Sequence, residues 1–200
     1  MLGDDLMRSY FVAQAQRPSA LSDVDLAALT PYHRALLVND GAVTCLLETA
    51  VLEPLKVDVL DQRTVEVDDE RISWLDLPAG AVSILRRRIA IRGRQSDRAY
   101  AFAESLLVTS RLPSDFISLL AHNPKGLGES IDQMRLDTRR ELLWFGHAAT
   151  PDWATPTAAP LPLLTRSYRI IFGGSPTILI SESFPLDDPT TPVAAARERR

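Results

Sequence analysis

With a single cysteine, Cys45, the chain can form no intrachain disulfide. No apolar run approaches the ~20 residues a membrane-crossing helix needs, so no membrane partner is expected. Basic stripes are equally scarce. The formal charge is −4, and no long lysine and arginine patch carries interleaved aromatics, which argues against a nucleic-acid partner. His33, His122 and His147 are scattered, none with a second His or Cys at ligand-like spacing, so no metal site is expected. A Gly-x-Ser-x-Gly elbow is missing, as are the Rossmann and P-loop fingerprints. Cys45, between Val43-Thr44 and Leu46-Leu47, reads as a small core residue rather than a nucleophile. The amino terminus, Met1-Leu2-Gly3-Asp4-Asp5, is acidic where a secretory leader is basic, and a cytoplasmic protein is expected.

What remains is enough for one good core: 200 residues, read as a single domain over 1–186 with a variable segment at 1–20 and a disordered tail at 187–200. Thr30-Pro31 caps a helix that runs to Val38 and stops at Asn39-Asp40-Gly41. Val43–Leu47 and Val51–Val59 read as strands from their β-branched residues, with Pro54 marking an edge or a break. Val82–Ile91 and Tyr100–Val108 form a hairpin, and Arg166–Phe172 and Thr177–Phe184 form a second across Gly173-Gly174-Ser175-Pro176. Pro113–Leu120 and Glu129–Phe145 read as helices, with Leu136, Leu142, Leu143, Trp144 and Phe145 as a packing stripe. Residues 147–162, rich in Pro, Ala and Thr, read as a surface loop. Hairpins with helices gathered between them imply an α+β fold, an antiparallel β-sheet with helices packed on one side.

Two charges break the apolar pattern. A two-residue period puts Glu182 in register with Ile178, Ile180 and Phe184, and puts Arg87 with Leu85, Ile89 and Ile91, leaving Arg86, Arg88 and Arg92 to the solvent side. A buried charge without a partner costs several kcal/mol or more. Glu182 and Arg87 therefore either meet an anionic ligand across a cavity, pair with each other, or leave Arg87 to be balanced by Glu104. The turn Gly126-Leu127-Gly128 opens a helix whose first amides have no intrahelical acceptor, so the Leu127 and Gly128 N–H groups could hold a carboxylate, or could form an ordinary loop-to-helix turn.

Arg166-Ser167-Tyr168-Arg169 through Gly174-Ser175-Pro176 to Ile180-Ser181-Glu182-Ser183-Phe184 resembles the closing hairpin of the chorismate pyruvate-lyases, with its essential glutamate. Ile84-Leu85-Arg86-Arg87-Arg88-Ile89 resembles the strand carrying the family's carboxylate-binding arginine, and strand phase selects Arg87. Gly126-Leu127-Gly128-Glu129 resembles its leucine-glycine turn, and Asp40-Gly41-Ala42-Val43-Thr44 the segment whose amide near Val43 binds the same carboxylate. Ala103-Glu104-Ser105-Leu106-Leu107 resembles the branch making 4-hydroxybenzoate for specialised products. The likeness spans about Leu36 to Phe184, while the Pro/Ala loop and charged tail depart from the family pattern.

The resemblance implies a lyase that converts chorismate to 4-hydroxybenzoate and pyruvate without metal or cofactor. It implies that Arg87 clamps the ring carboxylate with amides near Val43, Leu127 and Gly128, and that Glu182 hydrogen-bonds the departing ether oxygen. Substrate and aromatic acid product are then its small-molecule partners, and the protein a monomer or weak homo-oligomer. The fold is shared with ligand-sensing domains of transcription regulators, so a non-catalytic sensor is the alternative, as is a lyase acting on a related ring.

Overall fold

The computed structural model describes residues 2–67, 70–78, 80, 82–122, 126–154, 162–187 and 189. Helices α1 (Leu2–Ser9), α2 (Pro31–Val38) and α3 (Val43–Val51) lead into strand β1 (Leu55–Val67). A 3₁₀ helix (Glu70–Leu75) precedes β2 (Val82–Gly93) and β3 (Ala99–Leu107). Then come α4 (Ser114–His122), α5 (Leu127–Gln133), β4 (Thr138–Ala148), β5 (Leu163–Phe172) and β6 (Ser175–Pro185). The six strands form one sheet in the order β1-β2-β3-β6-β5-β4, antiparallel throughout. The seam between β3 and β6, from Phe102 opposite Ser183 to Leu107 opposite Ile178, joins the two hairpins the sequence announces. At the β5–β6 turn Phe172 pairs with Ser175, so Gly173 and Gly174 alone make the reversal, with φ of 58° and 80° that side chains rarely adopt.

The α-helices cover one face. Leu36, Val43 and Leu47 pack on Ile91, Ala101 and Phe184, while Phe116, Leu120 and Ile131 pack on Leu107, Tyr168, Ile178 and Ile180. The opposite face, expected to meet solvent, is closed by the 3₁₀ helix, whose Ile72 and Leu75 pack on Ile84, Leu106 and Leu179. Leu163 to Tyr168 are consequently buried at every position. The amino-terminal segment also joins the fold. Val12 and Ala13 donate to the carbonyls of Leu142 and Leu143, and Ser22 bridges His147 along the outer edge of β4. Gly146 permits this approach, because a Cβ there would stand 2.8 Å from the Ser22 carbonyl.

Two expected elements are different. Val43–Leu47 is the start of α3: Val43 and Leu47, four residues apart, are buried on one helical face, and a short apolar run suits either structure until tertiary packing decides. Glu129–Phe145 is a helix only to Gln133. Met134 caps α5, Arg135 turns at φ 51°, and β4 follows. The run Leu142-Leu143-Trp144-Phe145 is apolar on successive residues because both sheet faces are covered, not because it forms a helical stripe. Residues 123–125 of the glycine turn, 155–161 of the expected loop and most of the tail lie outside the described residues; of the tail, Asp187 and the Pro189 carbonyl are held by Arg98.

Candidate functional site

On the helical face, between the sheet and the first turns of α3 and α5, lies a cavity of about 50 Å³. Its floor includes Ile89, Ala103, Ser105 and Ile180, and its roof Ala42, Val43, Leu127 and Gly128. The two helix starts touch: a Cβ on Gly128 would lie 3.4 Å from that of Ala42. Ala42 and Gly126 are the N-caps, and neither offers a side-chain acceptor, so the leading amides of both helices are uncapped. By contrast α2 is capped by Thr30, whose hydroxyl accepts from the His33 amide at 3.3 Å.

Glu182 stands on the cavity wall from β6. Its Oε2 accepts from Arg166 Nε at 2.9 Å and Nη2 at 2.7 Å, and its Oε1 accepts from the Tyr168 hydroxyl at 3.0 Å. Arg166 also donates to the carbonyls of Leu37 at 3.3 Å and Asn39 at 2.7 Å, tying the glutamate to the chain that leads into α3. The guanidinium lies 5.1 Å from the Tyr168 ring centre. Burial, and then the charge of Glu182, push the Tyr168 phenol well above its ordinary pKa, so it remains a donor at neutral pH.

Of the residues singled out in the sequence, Glu182, Val43, Leu127 and Gly128 line this one cavity. Arg87 stands one row behind, opposite Ser105 on β3, where Ser105 forms part of the floor. Its Nη1 donates to Gln62 Oε1 at 2.5 Å and to the Leu120 carbonyl at 3.1 Å, near the carboxyl end of α4, where a cation suits the helix dipole. Burial lowers its pKa to about 10, which leaves it charged at neutral pH. Arg87 and Glu182 are two strands apart, roughly 12 Å between Cα atoms from strand spacing and rise. The direct pair is thus replaced by Arg166–Glu182. Glu104 points to the other face, where it accepts from Arg88 at 2.6 Å and Arg71 at 2.7 Å and does not balance Arg87.

Sequence reasoning missed two wall residues, Tyr168 and Arg140, and Arg166, the partner of Glu182. Arg166 shares the inward phase of Tyr168 and Ile170, a signal present in the sequence, but its place opposite Glu182 depends on a bulge between Ile170 and Ile171. Counted back from the glycine turn without that bulge, Arg166 would face Ser181. Arg140, from β4, reaches the cavity mouth and donates to the Asp40 carbonyl; it was hidden inside the segment read as helix. Among the described residues no group of three or more His, Cys, Asp or Glu is placed to hold a metal ion, and no helix is long and apolar enough to cross a membrane.

The described fold is similar to PhnF from Mycobacterium smegmatis, with a TM-score of 0.58 at 13% identity over 80% of this chain and 71% of that one. It is also similar to the effector domain of PhnF, with a TM-score of 0.52 at 11% identity over 74% of this chain and 90% of that one. At such identities the likeness concerns the fold alone. Two sequence relatives are closer. A chorismate pyruvate-lyase of Mycobacterium leprae (strain TN) is 30% identical over 169 residues, covering 82% of this chain and 79% of the relative. A chorismate pyruvate-lyase of Mycobacterium tuberculosis (strain ATCC 25618 / H37Rv) is 28% identical over 170 residues, covering 82% and 84%. Residues 37–189, which hold every cavity residue named above, match the family described as Chorismate pyruvate-lyase Rv2949c-like, and the chain belongs to that family.

Proposed function

We propose that this protein is a lyase that splits chorismate into 4-hydroxybenzoate and pyruvate. The observation that carries the reading is the pair of uncapped helix starts, Ala42-Val43 and Gly126-Leu127-Gly128, set side by side over a wall that holds a buried glutamate. Amides that no N-cap side chain engages, at the positive ends of two helices, suit a carboxylate, and chorismate carries two. In the reaction the ether C–O bond breaks and its electron pair leaves with the enolpyruvyl oxygen. The neighbouring ring carbon loses its hydrogen, the electrons of that C–H bond complete the aromatic ring, and the hydrogen ends on the methylene carbon that becomes the methyl group of pyruvate.

In this reading the amides of Val43, Leu127 and Gly128 hold the ring carboxylate, with Arg87 supplying positive charge behind Ser105. Glu182 and Tyr168 face the ether end as one proton-holding unit. Glu182 alone, with both oxygens already accepting, is less suited to act as the donor the resemblance implies. Aromatisation drives the chemistry, so orientation and exclusion of water are the main contributions asked of the protein.

Purified protein incubated with chorismate is expected to release pyruvate and 4-hydroxybenzoate in equal amounts. Glu182→Gln is expected to lower turnover by about 100-fold or more with the fold retained by circular dichroism. Absence of pyruvate above background overturns the reading. Chorismate binding without turnover would instead favour a non-catalytic sensor.

A further inference from the structure

We infer that Arg140 is the substrate-binding residue for the carboxylate of the enolpyruvyl group. The inference rests on the lyase reading and adds a second anion seat to it. Arg140 is the one cationic residue whose side chain lines the cavity among the described residues; the acids beside it are Glu129 and Glu182. The charge of Glu182 is already met by Arg166, and Glu129 lies in the first turn of α5, where the helix dipole offsets it. Arg140 has only a loose hold on a carboxylate of its own. Asp40 Oδ1 is 3.9 Å away on a side chain 82% exposed, and the close contact of Arg140 is with the Asp40 backbone carbonyl. Its Nε is buried and has no hydrogen-bond partner among the described residues, an arrangement that costs stability unless something accepts from it.

Position on the sheet assigns the seat. Arg87 is on β2 and Arg140 on β4, with β3, β6 and β5 between them. Four strand spacings place their Cα atoms roughly 20 Å apart. The two arginines therefore stand on opposite sides of the strands that carry Ser105, Glu182 and Tyr168. Glu182 is carried by β6, a strand between those of the two arginines, and it shares the cavity lining with Arg140. A guanidinium forks onto a carboxylate through two parallel N–H groups, which fixes direction as well as charge.

The test compares a ligand with both carboxylates to one with only the ring carboxylate. For Arg140→Gln, KM for chorismate is expected to rise at least 10-fold, while the dissociation constant of 4-hydroxybenzoate, measured by calorimetry, changes less than 2-fold. Arg140→Lys is expected to recover part of the chorismate affinity. Equal weakening of both ligands would assign Arg140 to the ring carboxylate or to structure, and unchanged KM would remove it from the site; either overturns the inference. Should the wild-type protein prove inactive, the lyase reading fails by itself. Calorimetric binding of chorismate to wild type and Arg140→Gln then still decides the arginine's role, with equal affinities counting against it.

Discussion

Among the described residues Arg87 and Arg166 are the two largest fully buried side chains, 2% and 1% exposed, and both lie on the sheet face that the helices cover. They are buried in opposite ways. Arg166 meets a carboxylate through two nitrogens and two backbone carbonyls besides, so its charge is offset where it lies. The described contacts of Arg87 include two neutral oxygens, and its lowered pKa reports desolvation as the cause. Arg166 is tied to a carboxylate, and Arg87 stands behind Ser105 on the cavity floor, where the proposed function gives its charge a role. Buried cations serve structure in some proteins and function in others, and substitution separates the two.

The most disruptive way to sharpen that contrast is Arg166→Leu. It strands the Glu182 carboxylate in an apolar wall and frees two carbonyls, so urea denaturation should report a loss of about 3–5 kcal/mol. Adding Glu182→Leu in the same chain should restore most of the loss, because the uncompensated charge goes with it. A single variant as stable as wild type would place Arg166 in the same class as Arg87.

Arg87→Met should do the reverse. Removing a desolvated cation offsets the loss of its hydrogen bonds to Gln62 and Leu120, and stability should stay within about 1.5 kcal/mol of wild type. Chorismate turnover should nevertheless fall by about 100-fold or more, as expected when a charge-assisted carboxylate contact is lost. Normal kcat/KM in a stable Arg87→Met protein would show that the amides of α3 and α5 hold the ring carboxylate unaided.

The inward phase of both Arg87 and Glu182 was legible because β2 and β6 keep a strict two-residue period where the charges sit. The hairpins were equally legible from their turns, and with them the antiparallel sheet. What failed depended on distance. Whether Val43-Thr44-Cys45-Leu46-Leu47 coils or extends is decided by Leu36, Leu55 and Ile91 packing against it, which no local pattern reports. The partner of Glu182 was hidden by one bulged residue in β6, and Arg140 by a helix that ends twelve residues sooner than its apolar run suggests. Motifs located the cavity roof, while the clamp around the glutamate needed three-dimensional register.

Arg86, next to Arg87 in sequence but on the other face, gives the mildest comparison. It holds Asp61 through Nη2 at 2.8 Å, with side chains 16% and 29% exposed, so the pair remains within reach of water. The hydrogen bond from Arg86 is the main reason the Asp61 carboxyl lies below its ordinary value of 3.8, against a smaller opposing effect of burial. A carboxyl lowered by folding stabilises the folded state above its unfolded pKa, and loses that contribution as pH falls through the lower folded value. Asp61→Asn should therefore cost at most about 1 kcal/mol at pH 7. The gap between variant and wild type should close only below about pH 4, as the wild-type carboxyl takes up its proton. Denaturation midpoints at pH 7 and in acid measure this directly. A loss at pH 7 matching that of Arg166→Leu would mean that partial exposure does not weaken an arginine–carboxylate pair in this sheet, and the distinction between its two faces would fail.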